Sequence, residues 1–469
     1  MKSVREVTRR SESSRDGRKF PGTGTVLAVA LVLSGFPTAA HASDGTRATL
    51  PDPVLDRLVA EGLERNPDVL QAKAEVDAAG ARVAPARTWP DPFATLAYQN
   101  DGVRPSLGTN EGSFLGTMLA QTVPWPGKLR FAGQIARQEA DAVTVGGLGR
   151  TRLSVESRIR RNYYAFALAR QQLLLIEERG ETWRQVEAVV RERYATAAAS
   201  QQDLFRTQVE ILRLDEERAM QRATLLSRAA ELNRAVGRAQ DVPVDSVRDL
   251  PEDGPIPELP DLLAAVGRRS PELAATQAAI KVGDLRVRLA RRDYFPDLVV
   301  GGGPMFRGPM DPMWQLSLGF SLPIHFRARQ RSRLEEARAS ARSSQAAEQG
   351  VNQELEFRTR ERLERLHAAA KVARLYRDGI LVTDRNAVDA ALASYRTGRV
   401  PFVTVLEALN VMYADRSAYL ERLAEVAALR VAVDEASLAA DAGMSGRPAG
   451  ASMPRATASE SANPMNSMR

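Results

Sequence analysis

The chain of 469 residues contains no cysteine. That absence excludes disulfides, thiolate metal ligands, a cysteine nucleophile and an N-terminal lipidated cysteine. Histidine is almost missing as well: of three, His41 falls in a segment expected to be removed, which leaves His325 and His367. Two imidazoles do not build a histidine metal cluster, and both read as structural or solvated. An excess of one charge is also lacking, because four units of the net +7 sit in residues 1–42 and the remainder is interleaved Arg and Glu. No continuous cationic stripe results, so nucleic acid is excluded as a partner.

Recognisable catalytic patterns are missing too. Gly301-Gly302-Gly303 is followed by no helix, and Pro126-Gly127-Lys128-Leu129 lacks the upstream glycine and the Ser/Thr of a phosphate loop. There is no H-E-x-x-H, G-x-S-x-G or EF-hand pattern. The sequence therefore describes no enzyme and implies no cofactor and no bound metal.

Beyond residue 42 no stretch approaches the ~20 consecutive apolar residues of a spanning helix. Entry into a membrane must then be by strands. Residues 1–42 read as a secretory signal peptide, with Arg15, Arg18 and Lys19 before an apolar run over 26–36 and an Ala40-His41-Ala42 cleavage pattern.

With 44% apolar residues, what is present is one pattern written twice. Asn66-Pro67-Asp68-Val69 returns as Ser270-Pro271-Glu272-Leu273, and Trp89-Pro90-Asp91-Pro92 as Phe295-Pro296-Asp297-Leu298. Pro124 is matched by Pro323, and Arg193-Tyr194 by Ser394-Tyr395. The expected units are a first repeat over 43–238, a Pro-rich linker over 239–260, a second repeat over 261–442 and a disordered tail over 443–469.

Each repeat reads as helix, two strands, long helix, second helix. Helices are expected over 53–87 and 261–293, 128–194 and 327–397, and 200–236 and 402–440. Each long helix measures about 100 Å at 1.5 Å per residue. The stripe Ile159, Tyr163, Phe166, Leu173, Ile176, Gly180, Trp183, Val190, Tyr194 has coiled-coil spacing. Gly146, Gly147 and Gly149 predict a soft point in the first long helix. The two shorter helices of a repeat together match the long one in length, as a two-rod hairpin requires.

The strongest strand signal is 313–322, with Trp314, Leu316, Leu318 and Phe320 on one face against Gln315, Ser317 and Gly319 on the other. That length and dyad pattern suit an outer-membrane strand whose apolar face meets lipid. Three weaker strands are expected over 93–99, 114–123 and 298–306. Four strands leave two unpaired edges, which hydrocarbon does not tolerate, so closure requires further copies. Two copies give a filled barrel and three give a lumen, which makes a homotrimer the smallest conducting assembly.

These features in this order resemble the TolC-like outer-membrane efflux proteins over about residues 53–441. The resemblance implies a mainly α fold with a small membrane β part: long coiled-coil hairpins form an α-barrel tunnel, and four strands per protomer contribute to a trimeric twelve-stranded transmembrane β-barrel. It implies a passive duct in the outer membrane, reaching into the periplasm to a membrane-fusion adaptor and an inner-membrane pump of the RND type. The strand-to-helix junction Gln121-Thr122-Val123-Pro124-Trp125-Pro126-Gly127-Lys128-Leu129 is similar to that of the cation-efflux branch, which favours metals or other cations. A duct for drugs or for type I protein secretion stays open, as does a soluble periplasmic coiled-coil scaffold or adaptor.

The resemblance places adaptor-contacting tips at Thr397-Gly398-Arg399-Val400-Pro401 and, without a glycine, at Ala197, Ala198 and Ser200. It puts the periplasmic gate at Glu407, with Thr404 in place of a second acid and Asp203 aligned with Thr404 in the first repeat. Ordinary solvated carboxylates are an equal reading of Glu407 and Asp203. Arg327, Arg329, Arg331 and Arg333 read equally as a junction lining or an exposed helix start. Met305, Met310 and Met313 read as loop packing.

Overall fold

Proline decides where the helices begin again. In the computed structural model, which describes residues 48–107, 112–244, 247–320, 325 and 327–438, the segment expected as one helix over 53–87 is three: α1 (Pro53–Arg65), α2 (Pro67–Ala81) and α3 (Val83–Arg87). Asn66 is held extended at φ −63°, ψ 129°, because the Pro67 ring bars it from helical backbone, and its side chain caps α2 by accepting from Asp68 N. The second repeat does the same at Ser270, which separates α7 (Leu259–Arg269) from α8 (Pro271–Arg292) and caps the latter through Leu273 N. The duplicated Asn-Pro-Asp and Ser-Pro-Glu motifs are thus helix restarts. The expected signal peptide and tail lie outside the described residues, as do Leu322 and Pro323.

The restarts make room for helix ends. In the first repeat the long rod is α4 (Lys128–Ala142), a π-helical turn at Val143–Leu148 and α5 (Gly149–Ala195), followed by α6 (Gln201–Val236). The end of α6 lands on the α1–α2 break, where Asn66 Nδ2 donates to Ala235 O at 2.7 Å. In the second repeat the rod is α9 (Gln330–Leu375), a π-helical turn at Tyr376–Ile380 and α10 (Leu381–Arg396), followed by α11 (Phe402–Asp434). Its end lands on the α7–α8 break, where Ser437 Oγ donates to Glu272 Oε1 at 2.9 Å.

The expectation of a last helix to residue 440 is corrected here. Beyond Asp434 the chain is drawn out of the helix by polar anchors: Arg161 pairs with the buried Glu435, Arg362 donates to Ser437 O at 2.8 Å, and Ala436 takes φ 47°. The rod expected from 327 starts at Gln330. The soft point expected at the glycines is the first π turn; the second, at Gly379, was not anticipated.

Apolar side chains of both repeats meet in two clusters along the rods. One surrounds Ile159, Tyr163, Leu232, Leu366 and Leu423. The other, toward the ends of the rods, surrounds Trp183, Val190, Leu214, Val405 and Leu409. The predicted stripe on α5 is buried or half-buried except at its end, where Tyr194 is exposed. Among the described residues no helix is long and apolar enough to cross a membrane.

At the opposite end from the α5–α6 and α10–α11 turns lie β1 (Phe93–Gln99), β2 (Phe114–Val123), β3 (Leu298–Arg307) and β4 (Met310–Phe320). They form one antiparallel sheet in the order β1-β2-β3-β4. The central β2–β3 pairing joins the two repeats, with Ala120 opposite Gly301 and Val123 opposite Leu298. Strands β1 and β4 are the edges.

Candidate functional site

The register sorts the sheet into two unlike faces. Trp314, Leu316, Leu318 and Phe320 share one face with Leu96, Leu119 and Val300, and it is bare: Trp314 is 83% and Leu316 85% exposed. A contiguous apolar surface of this kind is foreign to a sheet in water. The other face carries Gly116, Ala120, Gly301, Gly303 and Ser317. A Cβ on Gly303 would collide with the Thr117 carbonyl oxygen of the neighbouring strand, and one on Gly301 would stand 3.0 Å from Ala120 Cβ. The glycine run therefore follows from close approach of the strands. The weak alternation of β2 and β3 has the same origin: on their second face Gly116, Ala120, Gly301 and Gly303 are interspersed with larger residues such as Met118, Val299 and Met305.

Pro124-Trp125-Pro126-Gly127 turns the chain from β2 into α4. Gly127 takes φ 97°, a conformation open to glycine, and the prolines end the ladder. The turn is clasped from the second repeat. Asp297 Oδ1 accepts from Trp125 N at 2.8 Å and from Lys128 Nζ at 2.9 Å, Lys128 also donates to Phe295 O at 3.1 Å, and the Trp125 and Phe295 rings stack at 5.1 Å. Burial raises the neighbouring Asp293 carboxyl above its usual range, with the Lys128 charge opposing. A cavity of about 440 Å³ lies against this turn, lined by Trp89, Val123, Leu129 and Leu298.

Both interhelical turns close with the same hydrogen bonds. At the second, Gly398 has φ 74°, its N–H bonds Tyr395 O, and Arg399 N–H bonds Ser394 O, each at 2.9 Å. At the first, Ala197 takes φ 56°, its N–H bonds Tyr194 O, and Ala198 N–H bonds Arg193 O at 2.7 Å. The turn that lacks a glycine is built as though it had one.

Arg193 fastens the two turns together. Its guanidinium donates to Tyr395 O at 2.6 Å, Arg396 O at 2.8 Å and Ala198 O at 3.0 Å, and lies 4.6 Å over the Tyr395 ring. The Tyr395 and Arg396 carbonyls end α10, where a cation is favoured by the helix dipole, and the Ala198 carbonyl belongs to the turn that follows α5. Burial pushes the Tyr395 phenol above its usual range, the Asp203 carboxylate adds to that, and Arg193 opposes it. Sequence comparison paired Arg193 with Ser394 but gave no sign of this role.

The candidate gate residues sit just past these turns. Asp203 completes a capping box with Ser200, accepting from Ser200 N at 3.3 Å while its own N–H bonds Ser200 Oγ at 3.2 Å. Thr404 holds the matching position of α11, behind Pro401, which supplies no side-chain cap. Glu407, one turn on, is exposed, and Arg206 stands at its counterpart position in α6. Beside them an open groove of about 560 Å³ runs between α6 and α11, lined by Phe205, Arg206, Val209, Val403 and Leu406. Among the described residues no three His, Asp or Glu side chains come together as metal ligands would.

Comparison with known proteins agrees with this architecture. Residues 262–437 match the family model described as outer membrane efflux protein. The chain is 22% identical over 398 residues to the probable outer membrane lipoprotein SilC of Salmonella typhimurium, covering 80% of this chain and 84% of SilC. No cysteine is present here to carry a lipid of that kind. Among solved structures, the outer-membrane channel OprN superposes with a TM-score of 0.68 at 19% identity, covering 82% of this chain and 90% of OprN. VceC of Vibrio cholerae gives 0.67 at 16%, with 81% and 95% covered. CusC, described as undergoing conformational changes on folding and transmembrane channel formation, gives 0.64 at 18%, with 82% and 92% covered.

Proposed function

We propose that the chain is a TolC-like outer membrane efflux protein, three copies of which form a passive duct through the outer membrane for metal or other small cations. The protein resides in the outer membrane and is a channel protein, not an enzyme, so the scaffold reading is set aside. The observation that carries the proposal is the sheet: four strands, one exposed face that is apolar but for Thr117 and Gln121, and two edges with no partner strand among the described residues. Hydrocarbon accepts such a sheet only in a closed ring. Twelve strands from three copies leave a lumen that eight from two would fill.

In this reading Trp314, Leu316, Leu318 and Phe320 face lipid, and the rods extend the lumen into the periplasm. The turns at Ala197, Ala198 and Ser200 and over 397–401 meet a periplasmic adaptor that delivers substrate from an inner-membrane RND-type pump. Glu407, with Asp203 and Thr404 nearby in the first turns of the two helices, sets the field at the entrance. Three symmetry copies of an exposed carboxylate about an axis attract cations and repel one another. The preference for cations rests on the resemblance of the Gln121–Leu129 junction to that of the cation-efflux branch. The test is planar-bilayer recording of the purified protein: a cation-selective conductance whose block by divalent cations weakens in Glu407→Ala is expected. Loss of the gene should sensitise cells to metal salts. A conductance without cation preference, unchanged by Glu407→Ala, refutes the gate.

A further inference from the structure

The duplication inside the chain predicts how one copy meets the next, and this rests on the ring of copies proposed above. Trp89-Pro90-Asp91 and Phe295-Pro296-Asp297 stand 206 positions apart, whereas Pro124 and Pro323 stand 199 apart. These two offsets carry the first hairpin onto the second without error. Phe93 opposite Ala120 becomes Val299 opposite Gly319, and Leu96 opposite Thr117 becomes Gly302 opposite Leu316, both of which are observed pairs. The two hairpins are therefore equivalent strand for strand, and β2 against β3 is the seam between them.

A ring needs a second seam, between β4 of one copy and β1 of the next. It too joins the late strand of one repeat to the early strand of the other. We infer that this seam repeats the β2–β3 seam in both register and clasp. Applying the offsets to Ala120 opposite Gly301 places Gly319 opposite Thr95 of the partner subunit. Applying them to Leu119 opposite Gly302 places Leu318 opposite Leu96 of the partner subunit. The second pair falls on the bare apolar face from both sides, as a continuous lipid surface requires. A slip of one residue would put Leu318 beside the small-residue face.

The clasp transfers in the same way. Lys128 becomes Arg327 and Asp297 becomes Asp91 of the partner subunit, so an Arg–Asp pair locks each copy to its neighbour at the root of the barrel. Within one copy the internal clasp is made, while Asp91 is exposed and has no ion pair among the described residues, and Trp89, the counterpart of the stacked Phe295, is 54% exposed. Edge strands ordinarily carry devices against such pairing; here the edge residues match a partner of the same chain.

The absence of cysteine gives a clean test by cross-linking in outer-membrane vesicles. A Cβ added to Gly301 would stand 3.0 Å from Ala120 Cβ, about half an ångström short of the separation that a disulfide spans, so the counterpart of this pair is the one to bridge. Thr95→Cys with Gly319→Cys should yield covalent trimers on non-reducing gels, and Thr95→Cys with Ser317→Cys, displaced by one pair, should not. Trimers that stay intact but bridge only in the displaced pair, or in neither, overturn the register. Wild-type protein that forms no trimers overturns the ring itself. For the clasp, Asp91→Arg and Arg327→Asp should each lower the temperature at which trimers dissociate, and the double exchange should restore it. A double variant no better than the singles overturns the clasp while leaving the register to the cross-link.

Discussion

Replacing Arg193 with alanine removes one side chain and unties two turns. Three guanidinium hydrogen bonds to carbonyls are lost, together with a stacking contact on Tyr395. Because the freed carbonyls sit at the end of α10 and in the turn after α5, where two of the three bonds are exposed, they regain water and each bond contributes about 0.5 to 1 kcal/mol net, well below its value in a dry core. The cation–π contact adds roughly 0.5 kcal/mol. The sum, about 2 to 3.5 kcal/mol, is local to the turns and corresponds to a roughly 30- to 400-fold rise in their opening equilibrium. Amide hydrogen exchange at Gly398 and Arg399, whose N–H groups bond Tyr395 O and Ser394 O, reads it directly. Protection there should fall by that factor while the amides around Leu366 and Leu423 are unchanged. Arg193→Lys should recover less than half, since an ammonium cannot span three acceptors as the planar fork does. Unchanged protection at Gly398 in the alanine variant would refute the fastening role.

Three further outcomes are expected. Ala197→Gly should raise stability by about 0.5 to 1 kcal/mol, because the positive φ disfavours an alanine, and Gly398→Ala should lower it by a similar amount; thermal dissociation in detergent measures both. Leu318→Arg should cost about 2 to 4 kcal/mol per copy and abolish heat-resistant oligomers on unboiled gels, while Gln315→Arg on the opposite face is tolerated; equal effects would contradict the assignment of faces. Burial, and then the neighbouring Asp415, raise the Asp384 carboxyl above its usual range. Its contribution is therefore intact below the ordinary carboxylate pKa and lost as pH rises through the elevated one. Asp384→Asn should accordingly stabilise the protein at pH 7 and leave it unchanged near pH 3, in melting curves at the two pH values; an equal gain at both would deny the shift.

Much of this architecture was legible because long periodic segments leave few alternatives. The rods, the Ser200 start of α6, the Gly398 turn and the alternation of β4 all follow from local chemistry. What stayed hidden depends on contacts between distant segments. Asn66-Pro67 and Ser270-Pro271 were seen as repeats but not as restarts, since proline at a first helical position also reads as continuation. The inner face of β2 and β3 was obscured because close strand approach replaces side chains with glycine. Asp203, proposed for the gate, also caps its own helix, a role that its spacing from Ser200 would have shown. Tyr194 and Tyr395 align, yet only Tyr395 is buried, because Arg193 covers it.

The π-helical turn at Val143–Leu148 sets a condition on how the first rod tolerates change. Such a turn amounts to one residue more than an α-helix of the same span would hold, and a residue is worth about 100° of rotation. Deleting a single residue there would restore a regular helix over the same span, so that Trp183 and Val190 keep their place in the core. The same deletion in a regular part of the rod would swing everything downstream by more than a quarter circle and turn those side chains away, although neither had been altered. The turn is thus the place where the first rod forgives a change of length, and elsewhere the spacing between barrel and tip behaves as a reading frame.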